Sequence, residues 1–231
     1  MAHAAHRFYK GVSTAQIKDG PAHAVLLDGR RLKTPGKLDF YARSQRHADL
    51  VAAEWEAQSG DIKPDTMPLT RLYNVAIERT PQQRPAMIAE FRKYGSTDLL
   101  CYRADEPQSL RDRQERVWGP WIDWAKGMGA ALNTTNSVIA VDQPDAALGA
   151  LSGHAQPLGD LELTLLLHFT AVFGSAVLAL AVMTSALEPG AAYDISRLDA
   201  LYQAERWGED EEAQDIAAQT KAEIIILGQL I

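Results

Sequence analysis

The stretch Thr164-Leu-Leu-Leu-His168-Phe-Thr170-Ala-Val-Phe173-Gly174-Ser175-Ala-Val177-Leu-Ala-Leu-Ala-Val-Met-Thr184-Ser185-Ala-Leu187 runs 24 residues without an Asp, Glu, Lys or Arg. By length it could span a bilayer. Its content and flanks argue otherwise. His168, Thr170, Ser175, Thr184 and Ser185 interrupt it, Asp160 and Glu162 precede it, and Glu188 follows. No basic flank is present to set a membrane topology. A helix that is apolar all round in a water-soluble protein is a central core helix. The run is therefore expected to be the buried centre of a helical domain, with no membrane insertion. Phe173-Gly174-Ser175 is expected to kink it or split it in two.

Helical patterns extend on both sides. An acidic helix is expected at about Asp194–Trp207 and a last helix at about Glu209–Leu227. Upstream, helices are expected near Ala146–Leu151 and over Leu110–Lys126. The latter carries Trp118, Trp121 and Trp124 as a core stripe, with Pro120 marking a start or kink. Thr97–Arg103 reads as extended or irregular. Pro85–Tyr94 reads as helix with Gly95 at its C′ position. Leu69–Arg79 is helical, and Ser44 caps a helix running to Gln58.

Before Ser44 the punctuation changes. Phe8–Ile17, Ala22–Leu27, Arg31–Lys33 and Leu38–Tyr41 are strand-like, separated by Lys18-Asp-Gly-Pro21, Asp28-Gly29 and Pro35-Gly36. Asp-Gly between strand-like runs is a strong hairpin cue, because both central turn positions need positive φ. The fold class is thus α+β. Residues 1–80 form a small β-rich N-terminal domain with flanking helices, and residues 81–231 form a larger, mainly α-helical domain.

The composition is that of a globular protein, 46% apolar and 23% charged over 231 residues. Cys101 is the only cysteine, which rules out an internal disulfide and suits a reducing compartment. The six scattered histidines do not supply zinc-ligand spacings. Met1 to Lys10 has no apolar segment of the secretory type. The net charge of −7 is uneven: residues 1–80 carry 12 Lys/Arg against 9 Asp/Glu, whereas residues 81–231 carry 11 against 21. An acidic C-terminal half argues against nucleic acid as a partner. It fits either a solvated face or a basic protein partner.

Few residues suggest chemistry. Gly127-Met-Gly129-Ala-Ala-Leu132 half-matches a dinucleotide fingerprint but follows a Trp-bearing helix rather than a strand. There is no phosphate-binding loop, metalloprotease helix or nucleophile elbow. His168 reads as a hydrogen-bonded core histidine and Cys101 as a buried, inert thiol. The dense polar cluster is Tyr94-Gly-Ser-Thr-Asp98-Leu-Leu-Cys-Tyr102-Arg103. Ser96, Thr97 or Asp98 could cap a helix end, with Asp98 or Arg103 joining a buried hydrogen-bond network. Alternatively, Asp98, Tyr102 and Arg103 could line the site of a small-molecule enzyme, as acid and anion clamp.

Five motifs in order resemble one family: Ala52-Ala-Glu-Trp55-Glu-Ala-Gln-Ser-Gly60, Pro64-Asp-Thr-Met-Pro-Leu-Thr70, Tyr94 through Ala104, Trp118-Gly-Pro-Trp121, and Gln203-Ala-Glu-Arg-Trp-Gly208. The chain is similar to the assembly chaperones of the ATP synthase catalytic sector, found in mitochondria and related bacteria. The resemblance implies a non-enzyme without cofactor or metal that binds the unassembled alpha subunit, masks its beta-facing surface and is displaced during assembly. It implies a cytoplasmic location in a bacterium and the mitochondrial matrix for eukaryotic relatives. It places a functionally important acid at Asp199, where many members carry Glu, with Glu205, Arg206 and Trp207 beside it as partner-binding residues. Tyr94, Asp98 and Arg103 are secondary candidates. Trp207 is expected to pack the helix end against the core, and Asp199 to be an exposed helical acid.

Overall fold

A computed structural model describes residues 6–231 apart from Asp19, Val138 and Glu209. The stretch before His6, the middle of the turn expected at 18–21 and the expected first residue of the last helix lie outside the described residues. The chain divides into two compact units, one running to Gln82 and the other covering Gln83–Gln229.

The N-terminal unit is built on an antiparallel sheet in the order β1 (Val12–Gln16), β2 (His23–Leu27), β3 (Arg30–Arg31). Val12 faces Leu27 and Leu26 faces Arg31 across the ladders. Asp28 and Gly29 both take positive φ, 48° and 78°, as the hairpin cue requires. The strand expected over Leu38–Tyr41 does not form. A tight turn, with Lys37 N–H donating to the Thr34 carbonyl at 2.8 Å, leaves room only for isolated bridges, Lys33 with Asp39 and His23 with Ala42.

Two helices complete the unit, α1 (Gln45–Glu56) and α2 (Pro68–Glu78). Ser44 caps α1 by accepting from the His47 N–H. Glu54 ties the stretch 52–60 to the stretch 64–70. Its carboxylate accepts from Leu69 N–H at 2.7 Å, Thr70 N–H at 2.8 Å and the Thr70 hydroxyl at 2.7 Å. It thereby satisfies free N–H donors in the first turn of α2.

The second unit is helical: α3 (Thr80–Ser96), α4 (Gln108–Gly127), α5 (Asp145–Ala155), α6 (Asp160–Phe173), α7 (Ala176–Met183), α8 (Pro189–Ser196), α9 (Leu198–Trp207) and α10 (Glu211–Gly228). Three expectations are corrected here. Gly95 lies inside α3 rather than beyond its end; a Cβ there would sit 2.7 Å from Leu151 Cδ1, so glycine lets α3 approach α5 closely. Pro120 lies inside α4 and starts no helix. Of the tryptophan stripe only Trp118 is fully buried; Trp121 and Trp124 are half-buried and pack edge to face at 6.2 Å.

The apolar run divides as its Gly-Ser pair predicts. Gly174 takes φ 63° and ends α6, and Ser175 caps α7 by accepting from Leu178 N–H. Residues 176–182 of α7 are all buried, and α6 buries Leu165, Leu166, Phe169 and Phe173. No helix among the described residues is long and apolar enough to cross a membrane. His168 is half-buried, with its Nε2 3.8 Å from Glu223 Oε1, rather than a fully enclosed core residue.

Candidate functional site

The acidic helix expected over 194–207 is two helices, α8 and α9, broken at Arg197 (φ −93°, ψ 7°). At the break the Ile195 carbonyl accepts the Trp118 indole N–H at 3.0 Å, tying the turn to α4. The break aims α9 independently, and α9 carries all four residues first expected to bind a partner.

The inner face of α9 is spoken for. Leu198 and Tyr202, one turn apart, are buried. The Tyr202 hydroxyl lies 2.6 Å from Ser109 Oγ. Asp199 is half-buried and accepts from Gln114 Nε2 at 2.8 Å, while Gln114 Oε1 accepts from Ala104 N–H at 2.6 Å. Asp199 is therefore not the exposed acid expected from sequence but a link between α9 and α4. Glu205 pairs with Arg113 at 2.6 Å, and that guanidinium holds the Glu205 carboxyl below the usual range. Arg206 stacks over the Tyr202 ring at 4.7 Å and reaches Ser109 Oγ at 3.3 Å.

The outer face of α9 points elsewhere. Trp207 is 77% exposed and Leu201 44% exposed. The expected packing of Trp207 against the core is wrong; the indole stands in solvent one residue before Gly208 ends the helix. Leu201, Ala204 and Trp207 line an open groove of about 450 Å³ whose far wall is α10, through Ala213, Ala217 and Ala218. Lys221 and Asp194, paired at 2.6 Å, also line it. Asp210 caps α10 by accepting from Glu212 and Ala213 N–H, and Glu211 and Glu212 follow in the first turn. Part of the tail's acidity thus complements a helix N-terminus. Leu201 escaped the sequence reading. Its only signal was the spacing Leu201-Ala204-Trp207, a second apolar stripe offset from Leu198-Tyr202.

The second cluster is structural in geometry. Asp98 is completely buried and joins two elements through three bonds: Oδ1 accepts from Leu100 N–H at 3.0 Å and the Ser175 hydroxyl at 2.8 Å, and Oδ2 from Val177 N–H at 3.0 Å. It caps both a short 3₁₀ turn (Leu99–Cys101) and α7. Burial outweighs these bonds and lifts its carboxyl to about 6. Burial, with Asp98 nearby, pushes the Cys101 thiol up to about 12, so it is not a thiolate at neutral pH. Arg103 is also buried; it donates to the Leu100 carbonyl, reaches Glu115 at 3.0 Å and lies 5.4 Å from the Trp118 ring centre. A hollow of about 420 Å³ meets Arg103, but neither Asp98 nor Tyr102 lines it. The trio does not converge on one cavity. Tyr94 is half-buried on α3. Among the described residues no group of three or more His, Cys, Asp and Glu could hold a metal ion.

Comparison with known proteins agrees with this architecture. The family model described as ATP12 chaperone protein matches residues 6–126. The crystal structure of Atp12 from Paracoccus denitrificans superposes with a TM-score of 0.90 at 40% identity, covering 98% of this chain and 97% of that one. A protein of Agrobacterium tumefaciens gives 0.91 at 36% identity over 97% and 85% of the two chains. The mitochondrial protein atp12 of Schizosaccharomyces pombe is 23% identical over 91% of this chain and 76% of its own length.

Proposed function

The chain belongs to the ATP12 chaperone family, and from that premise we propose that it binds the unassembled alpha subunit of the ATP synthase catalytic sector and masks the surface that later meets the beta subunit. Obligate interfaces of this kind are large and apolar, and aggregate when left open. A chaperone that covers one must bind more weakly than the true partner, so that assembly displaces it. Exchange that runs downhill needs no catalysis, no nucleotide and no cofactor. In a bacterium the work is done in the cytoplasm, on the side where the catalytic sector is built.

The observation that carries this reading is the outer face of α9. Trp207 and Leu201 stand exposed beside an alanine-lined groove, and a large aromatic left in solvent at a groove rim is the usual anchor of a protein interface. Glu205 and Arg206 border the face. Asp199 supports it from behind, by holding α9 on Gln114. The acidic tail, with 10 Asp/Glu against 3 Lys/Arg from Glu188 onward, favours encounter with a basic patch. The test is co-purification with separately expressed alpha and beta subunits. Capture of alpha and not beta, lost on Leu201→Asp, is expected; equal capture of both, or of neither, overturns the reading.

A further inference from the structure

The N-terminal unit holds a hollow of its own, apart from the α9 face. Its volume is about 890 Å³, enough for a short stretch of polypeptide. Leu27, Ile62 and Met67 give it apolar walls, and Phe8 stands at its mouth 71% exposed. Arg30 and Arg31, the whole of the edge strand β3, are exposed on its lining. Two further cations there are already paired, Lys33 with Asp39 at 2.9 Å and Arg71 with Asp65 at 3.8 Å. The carboxylate in the wall, Asp28, accepts from the backbone N–H groups of Lys10 and Gly11 at 3.0 and 2.9 Å. The rim is thus net positive, within residues 1–80, which are themselves net positive.

In the same wall the Trp55 indole N–H, a donor, and Asn74 Oδ1, an acceptor, are buried without a hydrogen-bond partner among the described residues. Buried polar groups are normally satisfied. A polypeptide segment carries both kinds of group, an acceptor carbonyl and a donor N–H on each residue. An apolar trough, an orphan donor and acceptor, and an excess of guanidinium at an edge strand together describe a receptor for extended chain.

We propose that this hollow is a second client-docking site, which takes an extended, apolar segment of the client flanked by carboxylates. It rests on the chaperone reading only for the source of that segment.

The test uses the full chain and two labelled, capped pentapeptides, Leu-Asp-Phe-Asp-Leu and its counterpart with lysine in place of aspartate, followed by fluorescence anisotropy. The aspartate peptide is expected to bind roughly tenfold more tightly than the lysine peptide. The double variant Arg30→Glu/Arg31→Glu should weaken it by at least about tenfold, since both side chains are exposed and their reversal spares the fold. Trp55→Phe keeps a ring, removes the N–H and should weaken binding severalfold; because it also loses packing against Tyr9, its melt is measured beside it and should fall only modestly. Equal binding of the two peptides, or no effect of the double reversal, overturns the proposal. So does binding of N-acetyl-leucine as tight as the pentapeptide, which marks a small-molecule site. A wild-type dimer that the double reversal dissociates assigns the hollow to a second copy and overturns it too. Leu201→Asp should leave peptide binding intact. Failure here is therefore separable from failure of alpha-subunit capture.

Discussion

Asp199 and Gln114, 85 residues apart in sequence, are joined by a 2.8 Å hydrogen bond from the Gln114 amide to the Asp199 carboxylate. Gln114 is buried, so its amide has no water to turn to if Asp199 is lost. Asp199→Lys removes the acceptor and should cost about 1–3 kcal/mol, because a buried donor is left unmade. Asp199→Asn keeps an acceptor oxygen and should melt close to wild type. Thermal melts run beside alpha-subunit pull-downs check this. A lysine variant as stable as wild type would show that the contact carries no energy.

Asp98 gives the helical unit a pH signature. Its carboxyl is lifted from 3.8 to about 6 by burial, so the folded state holds this proton more tightly than the unfolded chain. Its contribution therefore rises as pH falls from 7 through 6 towards 4, and is flat below that range. Keeping the charge at neutral pH costs on the order of 3 kcal/mol relative to the protonated form. The stability difference between wild type and Asp98→Asn should move in favour of wild type by about 1 kcal/mol between pH 7 and pH 5. Denaturant titrations of both proteins at the two pH values measure it. A pH-independent difference would mean that Asp98 keeps an ordinary carboxyl in the fold.

What could be read from sequence was local. Asp28-Gly29 announced its hairpin, and Gly174-Ser175 announced the break in the apolar run, because φ preferences and caps act within a few residues. The outer and inner faces of α9 could not be sorted in the same way. Trp207 is as apolar as Trp118, and only the path of the chain decides that Trp118 is enclosed while Trp207 is not. The same holds for Asp199, whose partner lies on α4, and for the break at Arg197, where the carbonyl of Ile195 meets an indole 77 residues away. Sequence offers Ser96, Thr97 and Asp98 equally as a cap; only the approach of α7, 77 residues away, singles out Asp98.

Gly95 is a further instance of distant packing written as a local residue. In a helix interior, Gly→Ala ordinarily gains about 1 kcal/mol. Here the added methyl would meet Leu151 Cδ1 at 2.7 Å and Leu148 Cδ2 at 3.4 Å, and Leu151 is fully buried with nowhere to turn. Overpacking costs about 1–3 kcal/mol and should outweigh the propensity gain. Gly95→Ala is expected to lower Tm. A rise in Tm would show that α3 and α5 separate easily.

Trp207 separates binding from stability. Its indole is 77% exposed, and the sequence-based expectation that it packs on the core would make Trp207→Ala a folding defect. The geometry predicts the opposite. Removing a solvent-exposed side chain at the end of α9 should change stability by less than about 0.5 kcal/mol. At a protein interface the same truncation commonly costs about 2 kcal/mol or more, because the indole buries a large, rigid area against its partner. Alpha-subunit capture should therefore fall by at least about tenfold while the melt stays put. Leu201→Asp should act in the same direction, by placing a carboxylate on the apolar face. Raising salt should weaken wild-type capture modestly, since charge governs encounter more than affinity. If Trp207→Ala and Leu201→Asp both melt and capture like wild type, the outer face of α9 is only solvated surface and the client binds elsewhere.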